Sequence, residues 1–284
     1  MIPASFDYVR ATSLDQVIGL LQGDPDGIKL VAGGHSLIPT LKLRLASPAL
    51  LVDIRGLDDL RCITIGEQIR IGALTTHAEL LASTPLREVL PIFHQAGSLI
   101  ADPQVRNRGT IGGSLANADP AADWPAVVIA LNAEIELAGP QGRRRVAARD
   151  FFVDIMTTAL ALDEILVAVH ITRPRPDTQF RYRKIRHPAS GYAVVGVAFA
   201  LGLTDNTVSD AAIGITGATG HAFAAEAAAK AVIGQPLTAE TIEAAAKLAG
   251  EQADCLSDHY ASADYRRHLI RTEVARGLTS FKAD

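Results

Sequence analysis

Two glycine pairs constrain this chain more than any other feature: Ala32-Gly33-Gly34-His35-Ser36 and Thr110-Ile111-Gly112-Gly113-Ser114. Each follows a strand-like or extended segment and precedes an apolar stretch of helical character. A glycine lets the backbone take positive φ, and lets a ligand approach without a Cβ in the way. Two such segments, far apart in sequence, point to one large anionic ligand held from two sides. Around the first pair the pattern predicts a strand over 28–32 and a helix over 36–45, with Leu37, Leu41 and Leu45 four residues apart. The backbone N–H groups of Gly34, His35 and Ser36 then face whatever lies above that helix. Orphan donors and the helix dipole favour a phosphate or diphosphate there. A tight strand–helix turn with no ligand is the alternative.

The second segment, 109–123, reads as a long polar loop between two helices. Thr110, Ser114, Asn117 and Asp123 offer hydroxyl, amide and carboxylate groups suited to a ribityl chain or a ribose. Asn117, Asp119 and Pro120 are equally ordinary turn and helix-start residues. Neither segment is a GxGxxG fingerprint and no Walker A pattern occurs, so NAD and ATP are not the first ligands to consider. No HExxH or GxSxG occurs either, and no metal site is expected. His35 alone among the histidines lies in a candidate site; His77, His94, His170 and His187 read as structural or surface residues.

Composition narrows the class. A net charge of −4 argues against a nucleic-acid partner. Arg143-Arg144-Arg145 follows a Gly-Pro-Gln-Gly turn and reads as part of a solvated hairpin. Two cysteines, Cys62 and Cys255, cannot ligate an iron–sulfur cluster on four thiolates, and read as free thiols in a reducing compartment. The start of the chain lacks a basic segment followed by an apolar one, so no signal peptide is expected. The longest nearly apolar run, 192–203, is shorter than the roughly 20 residues of a membrane helix and reads as a buried strand.

The periodicity divides the chain into three parts. Residues 1–55 read as a β-α-β unit, with a capping-box spacing at Ser13–Gln16 and Val17, Leu20 and Leu21 on one helical face. Residues 56–175 read as a hairpin over 63–72, a capped helix after Thr76, a helix over 86–100, a helix opened by Asp123-Trp124-Pro125, and strands over 134–137 and 165–171. Arg173-Pro174-Arg175-Pro176-Asp177 is the best linker. Residues 176–284 then read as three strands, over 180–185, 192–203 and 208–215, and three alanine-rich helices, over 221–233, 238–253 and 260–281.

Taken together, Ile2-Pro3-Ala4-Ser5-Phe6-Asp7-Tyr8, Ala32-Gly33-Gly34-His35-Ser36-Leu37-Ile38-Pro39 and Thr110-Ile111-Gly112-Gly113-Ser114-Leu115-Ala116-Asn117-Ala118-Asp119-Pro120 closely resemble one family. It is the FAD-binding medium subunit of molybdenum hydroxylases, and the similarity runs from Ile2 to about Arg276. The resemblance implies an α+β fold of the vanillyl-alcohol-oxidase (PCMH) type: two N-terminal α/β subdomains hold FAD, and a C-terminal three-stranded sheet with helices closes over the flavin. It implies that Ala32, Gly33, Gly34, His35 and Ser36 meet the diphosphate, with Leu30, Val31 and Leu37 as walls. Ile100, Ala101, Gly109, Thr110, Gly112, Gly113, Ser114 and Asn117 then line the ribityl and diphosphate side. Asp123, Leu166 and Lys184 match further contact positions. Tyr192 matches a tyrosine that covers one flavin face, its other reading being a core aromatic at a strand start. Ser114 departs from the asparagine of many relatives, which weakens any side-chain bond there.

The resemblance further implies a cytoplasmic oxidoreductase subunit that relays electrons. A molybdenum-binding large subunit and a small subunit with two [2Fe–2S] clusters would be its partners, as a dimer of heterotrimers able to sit at the inner face of a membrane. The substrate of the molybdenum centre is not legible here. The residues themselves leave open a stand-alone FAD oxidase or reductase, for which no catalytic base or covalent flavin anchor stands out. They also leave open a binding protein whose glycine segments are only turns.

Overall fold

The computed structural model describes residues 1–204 and 206–281. Its first sheet is parallel and three-stranded. Strands β1 (Asp7–Arg10), β2 (Ile28–Val31) and β3 (Leu50–Asp53) lie in the order β1-β3-β2, connected by helices α1 (Leu14–Gly23) and α2 (Leu37–Lys42). Parallel neighbours require such crossovers. The Ser13 hydroxyl caps α1 by accepting from the Gln16 N–H, and Val17 and Leu21 are buried against the sheet, with Leu20 half-buried. Helix α2 is shorter than the leucine spacing predicts: Arg44 takes φ 58° and Leu45 is exposed. Strand β1 was not legible as a strand, because Asp7–Arg10 is mostly exposed and carries no apolar alternation.

The middle sheet is antiparallel, built from β4 (Ile63–Thr64), β5 (Gln68–Gly72), β6 (Glu134–Gly139), β7 (Gly142–Ala147) and β10 (Ile165–Thr172) in the order β4-β5-β10-β6-β7. A small hairpin of β8 (Phe152–Asp154) and β9 (Thr157–Thr158) stands apart from it. Between β5 and β6 run α3 (His77–Ala82), α4 (Thr84–Val89), α5 (Ile92–Gly97), α6 (Pro103–Arg106), α7 (Ile111–Asn117) and α8 (Trp124–Ala130); α9 (Ala148–Phe151) follows β7. Two sequence expectations are corrected here. The helix read over 86–100 is two helices, broken at Leu90-Pro91 because proline cannot donate to the preceding turn. The polar loop read over 109–123 is helical from Ile111 to Asn117, so the second glycine pair lies in the first turn of α7. Arg143, Arg144 and Arg145 do lie on a solvated hairpin, paired with Glu136, Glu164 and Glu134.

The third sheet is antiparallel. Its three long strands β11 (Thr178–Arg186), β12 (Ala193–Thr204) and β13 (Thr207–Thr216) match the reading, and a two-residue strand β14 (Phe223–Ala224) extends the edge to give the order β11-β12-β13-β14. Helices α10 (Glu226–Val232), α11 (Ala239–Gln252) and α12 (Ala263–Thr279) cover one face. The other face meets α8, every residue of which is buried, as expected of a helix apolar all round. A Cβ at Gly214 of β13 would stand 2.1 Å from the Ala126 carbonyl oxygen, so helix and sheet are in backbone contact there. Phe180, Tyr182 and Ala198 of the third sheet therefore share one core with Trp124, Phe93 and the middle sheet.

Candidate functional site

The two glycine segments meet. Gly33 lies directly after β2, where a Cβ would stand 2.3 Å from the Arg108 carbonyl oxygen and 2.8 Å from the Gly109 Cα. Gly113 faces Ala32, whose Cβ is 3.9 Å from the point where a Gly113 Cβ would be. Gly34 takes φ +77°, a conformation that side chains rarely adopt. The strand ends, the chain turns over Gly109, and α2 leaves in a new direction.

The two segments treat their backbone donors in opposite ways. In α7 the first-turn N–H groups are already engaged: Ile111 donates to Thr75 O, Gly112 to Ala73 O, Gly113 to the Thr110 hydroxyl and Ser114 to Thr110 O. Thr110 is thus a helix cap, and Gly112 is a packing residue, since its Cβ would stand 2.5 Å from the Ala73 Cβ. On the first segment, the N–H groups of Gly33, Gly34, His35 and Ser36 have no acceptor among the described residues. These consecutive donors are half-buried to exposed, and Val31 and Leu37 pack beneath them around Leu41. Such a row of free amides, narrowed by a wall that tolerates no Cβ, suits the diphosphate of a dinucleotide.

A second group of the expected residues gathers around Asp123, at the start of α8. The Tyr182 hydroxyl donates to Asp123 Oδ1 at 2.5 Å and the Lys184 ammonium to Oδ2 at 2.8 Å. The pair is 5% and 1% exposed, so both groups turn to each other rather than outward. Burial pushes the Asp123 carboxyl above its ordinary value, opposed by Lys184 and by the Tyr182 hydroxyl. Burial and then the Asp123 charge hold the Tyr182 phenol far above its own. Lys184 also donates to Leu99 O, as does Arg186, while Arg106 donates to the carbonyls of Ile100 and Ala101. The Ile100–Ala101 turn, with Ala101 at φ 41°, is thereby clamped by three cations.

Tyr192 stands just before β12, 46% exposed, and its hydroxyl has no partner among the described residues. The core-aromatic reading does not hold for it. Its neighbour Ala193 donates to Ala121 O, which sets Tyr192 beside the turn leading into Asp123. Asn117, at the far end of α7, contacts Met156, and the Ser114 hydroxyl is unengaged. Leu30 is half-buried against the first core. Leu166 is 5% exposed inside the middle core and offers no free face to a ligand. Tyr182 and Arg186 were missed because strand alternation gives no hint of what lies across the sheet.

Fold and site together fit a flavin-domain architecture, with free amides on a small parallel unit and an antiparallel sheet packed on the middle part. Comparison with known proteins agrees. Residues 4–174 match the model of the FAD-binding domain in molybdopterin dehydrogenase, and 180–281 the CO dehydrogenase flavoprotein C-terminal domain. The carbon monoxide dehydrogenase medium chain of Afipia carboxidovorans is 38% identical over 284 residues, covering 100% of this chain and 99% of its own. The nicotine 6-hydroxylase medium subunit of Paenarthrobacter nicotinovorans is 36% identical, covering 95% of each. In the solved carbon monoxide dehydrogenase from Hydrogenophaga pseudoflava, a chain 38% identical superimposes with a TM-score of 0.96 over 98% of both. The chain belongs to the family of FAD-binding medium subunits of molybdenum hydroxylases.

Proposed function

We propose that this chain binds FAD and carries electrons from the iron–sulfur clusters of a small partner subunit to an external acceptor. It does so as the flavoprotein component of a molybdenum-containing dehydrogenase, in a cytoplasmic complex with a large molybdenum-binding subunit. The observation that carries the reading is the junction of the two glycine segments, where Gly33–Ser36 present free amides over Gly109. FAD, when bound, supplies a carrier that accepts electrons singly and delivers them in pairs. The chain's own residues bind and orient. Gly33, Gly34, His35 and Ser36 hold the diphosphate, with the α7 face of Gly113, Ser114 and Asn117 alongside. The Asp123–Lys184 pair and the clamped Ile100–Ala101 turn fix the floor, and Tyr192 covers the remaining face. Described residues include no helix long and apolar enough to cross a membrane.

Relatives of nearly equal identity are named for carbon monoxide and for nicotine. The oxidised substrate is therefore a property of the large subunit, not of this chain. The flavin absorption spectrum of the purified chain tests the site. Gly33→Val places a branched side chain against Arg108 O, and FAD content is expected to fall to background; wild-type content in that variant would refute the placement. Copurification of molybdenum and iron–sulfur subunits tests the relay, and rapid turnover of a small substrate by the isolated chain would count against it. Tyr192→Phe is expected to retain FAD and to change its reoxidation rate.

A further inference from the structure

His77 opens α3 and was read from sequence as a structural histidine. Its surroundings give it a second property. The Trp124 indole N–H donates to His77 Nδ1 at 3.0 Å. Nδ1 must therefore be the bare acceptor, and the ring proton of the neutral imidazole is on Nε2. Burial moves the His77 pKa down to about 4, with the Arg106 charge acting in the same direction, so this neutral tautomer persists at neutral pH. The ring is 6% exposed. Nevertheless Nε2 has no protein acceptor, and it is not among the side-chain polar atoms sealed from solvent without a partner, which are His94 Nδ1, His170 Nδ1 and Arg266 Nε.

The unengaged donor lies beside the glycine junction. A Cβ on Gly109 would stand 2.7 Å from His77 Nε2, and Gly109 is the residue against which Gly33 packs. Gly109 is not in the left-handed region, so close approach and not conformation calls for a glycine there. The backbone holds the ring in place: the His77 N–H donates to Gly109 O at 2.9 Å, and Thr76 bridges to Thr110. Nε2 keeps a path to solvent, so its N–H is free to donate to an acceptor from outside the protein.

We propose that His77 is a ligand-binding residue: its Nε2–H, held by Trp124, donates beside Gly109 to a phosphate oxygen of the anion cradled by Gly33–Ser36. This rests on the reading of that cradle as a diphosphate site. The test uses the full chain freed of flavin. FAD is titrated into wild type, His77→Phe and His77→Gln, with melting temperatures measured in parallel. Phenylalanine keeps the shape and loses both hydrogen bonds. Glutamine can accept from Trp124 and still present an N–H near the Nε2 position.

His77→Phe is expected to weaken FAD binding at least about tenfold, the lower range for a hydrogen bond to a charged group. His77→Gln is expected to stay within about threefold of wild type. Unchanged affinity in His77→Phe overturns the proposal, and so does an equal loss in both variants, which would mark a packing role. If wild type takes up no FAD, the flavin reading itself fails. Nitrogen-15 NMR with inorganic pyrophosphate then decides the donor: a shift of the His77 Nε2 resonance supports it and an unmoved resonance overturns it.

Discussion

Asp123 shows what a single buried carboxylate does in this molecule. It joins α8 to β11 through Tyr182 and Lys184, and none of the three groups has water to fall back on. Breaking a buried pair strands the remaining charge, at about 3–5 kcal/mol. Lys184→Met should lower stability by about that amount in a urea titration, and adding Asp123→Asn should recover most of it. His77 makes a pH prediction. Its folded pKa near 4 lies below the ordinary 6.5, so between these values the unfolded chain binds more protons. The contribution is fully present above pH 6.5 and is lost as pH falls towards 4, on the order of 3 kcal/mol in total. His77→Gln should flatten this part of a melting temperature–pH profile; an unchanged slope would place the acid sensitivity elsewhere. Asp123 and Lys184 were each nameable from the motif resemblance. Their pairing was not, because 61 residues separate them and no local pattern encodes the contact.

At the scale of elements, the glycine pairs were legible and their division of labour was not. Strand β2 and the turn after it follow from apolar residues and Gly34. Helix α7 looked like a loop because glycine lowers helix propensity by about 1 kcal/mol. Tertiary packing overrides that: Thr75 and Ala73 take the first N–H groups, and Gly112 lets α7 sit on Ala73. Two expectations follow. Gly112→Val should destabilise the chain by more than 2 kcal/mol in the same titration, since the Ala73 backbone is part of the obstruction. Thr110→Ala removes the cap from Gly113 and should cost about 1 kcal/mol, with faster amide exchange confined to α7. The break at Pro91 was in principle readable, since a proline interrupts an otherwise helical spacing.

Across the whole molecule, α8 is the shared core. It packs against α5, α7 and α9 and against β12–β13, and its first residue Trp124 reaches Phe93 and His77. A chain ending at residue 175 would expose the side of α8 that meets Gly214 and Ala198, along with an unpaired Asp123. Such a fragment should bind a hydrophobic dye and lose near-ultraviolet circular dichroism; a cooperative melt like that of the full chain would contradict the shared core. The third sheet thus completes a core that the middle part cannot close by itself.

Local residue types determined the long apolar strands, the caps at Ser13 and Thr76, the turn at Gly34 and the motifs that carry the family, because each acts over a few neighbouring residues. Only the tertiary structure decided that Gly33 faces Gly109, that Thr110 and Gly112 serve packing while Gly33–Ser36 keep free amides, and that Trp124 fixes the proton on His77. Those contacts join groups from 39 to 76 residues apart. Their geometry comes from how three sheets pack, and no spacing within one segment encodes it. The glycine pairs first suggested an anion held from two sides; the fold leaves the amides of the first pair open and those of the second engaged, a division that neither pair's sequence encodes.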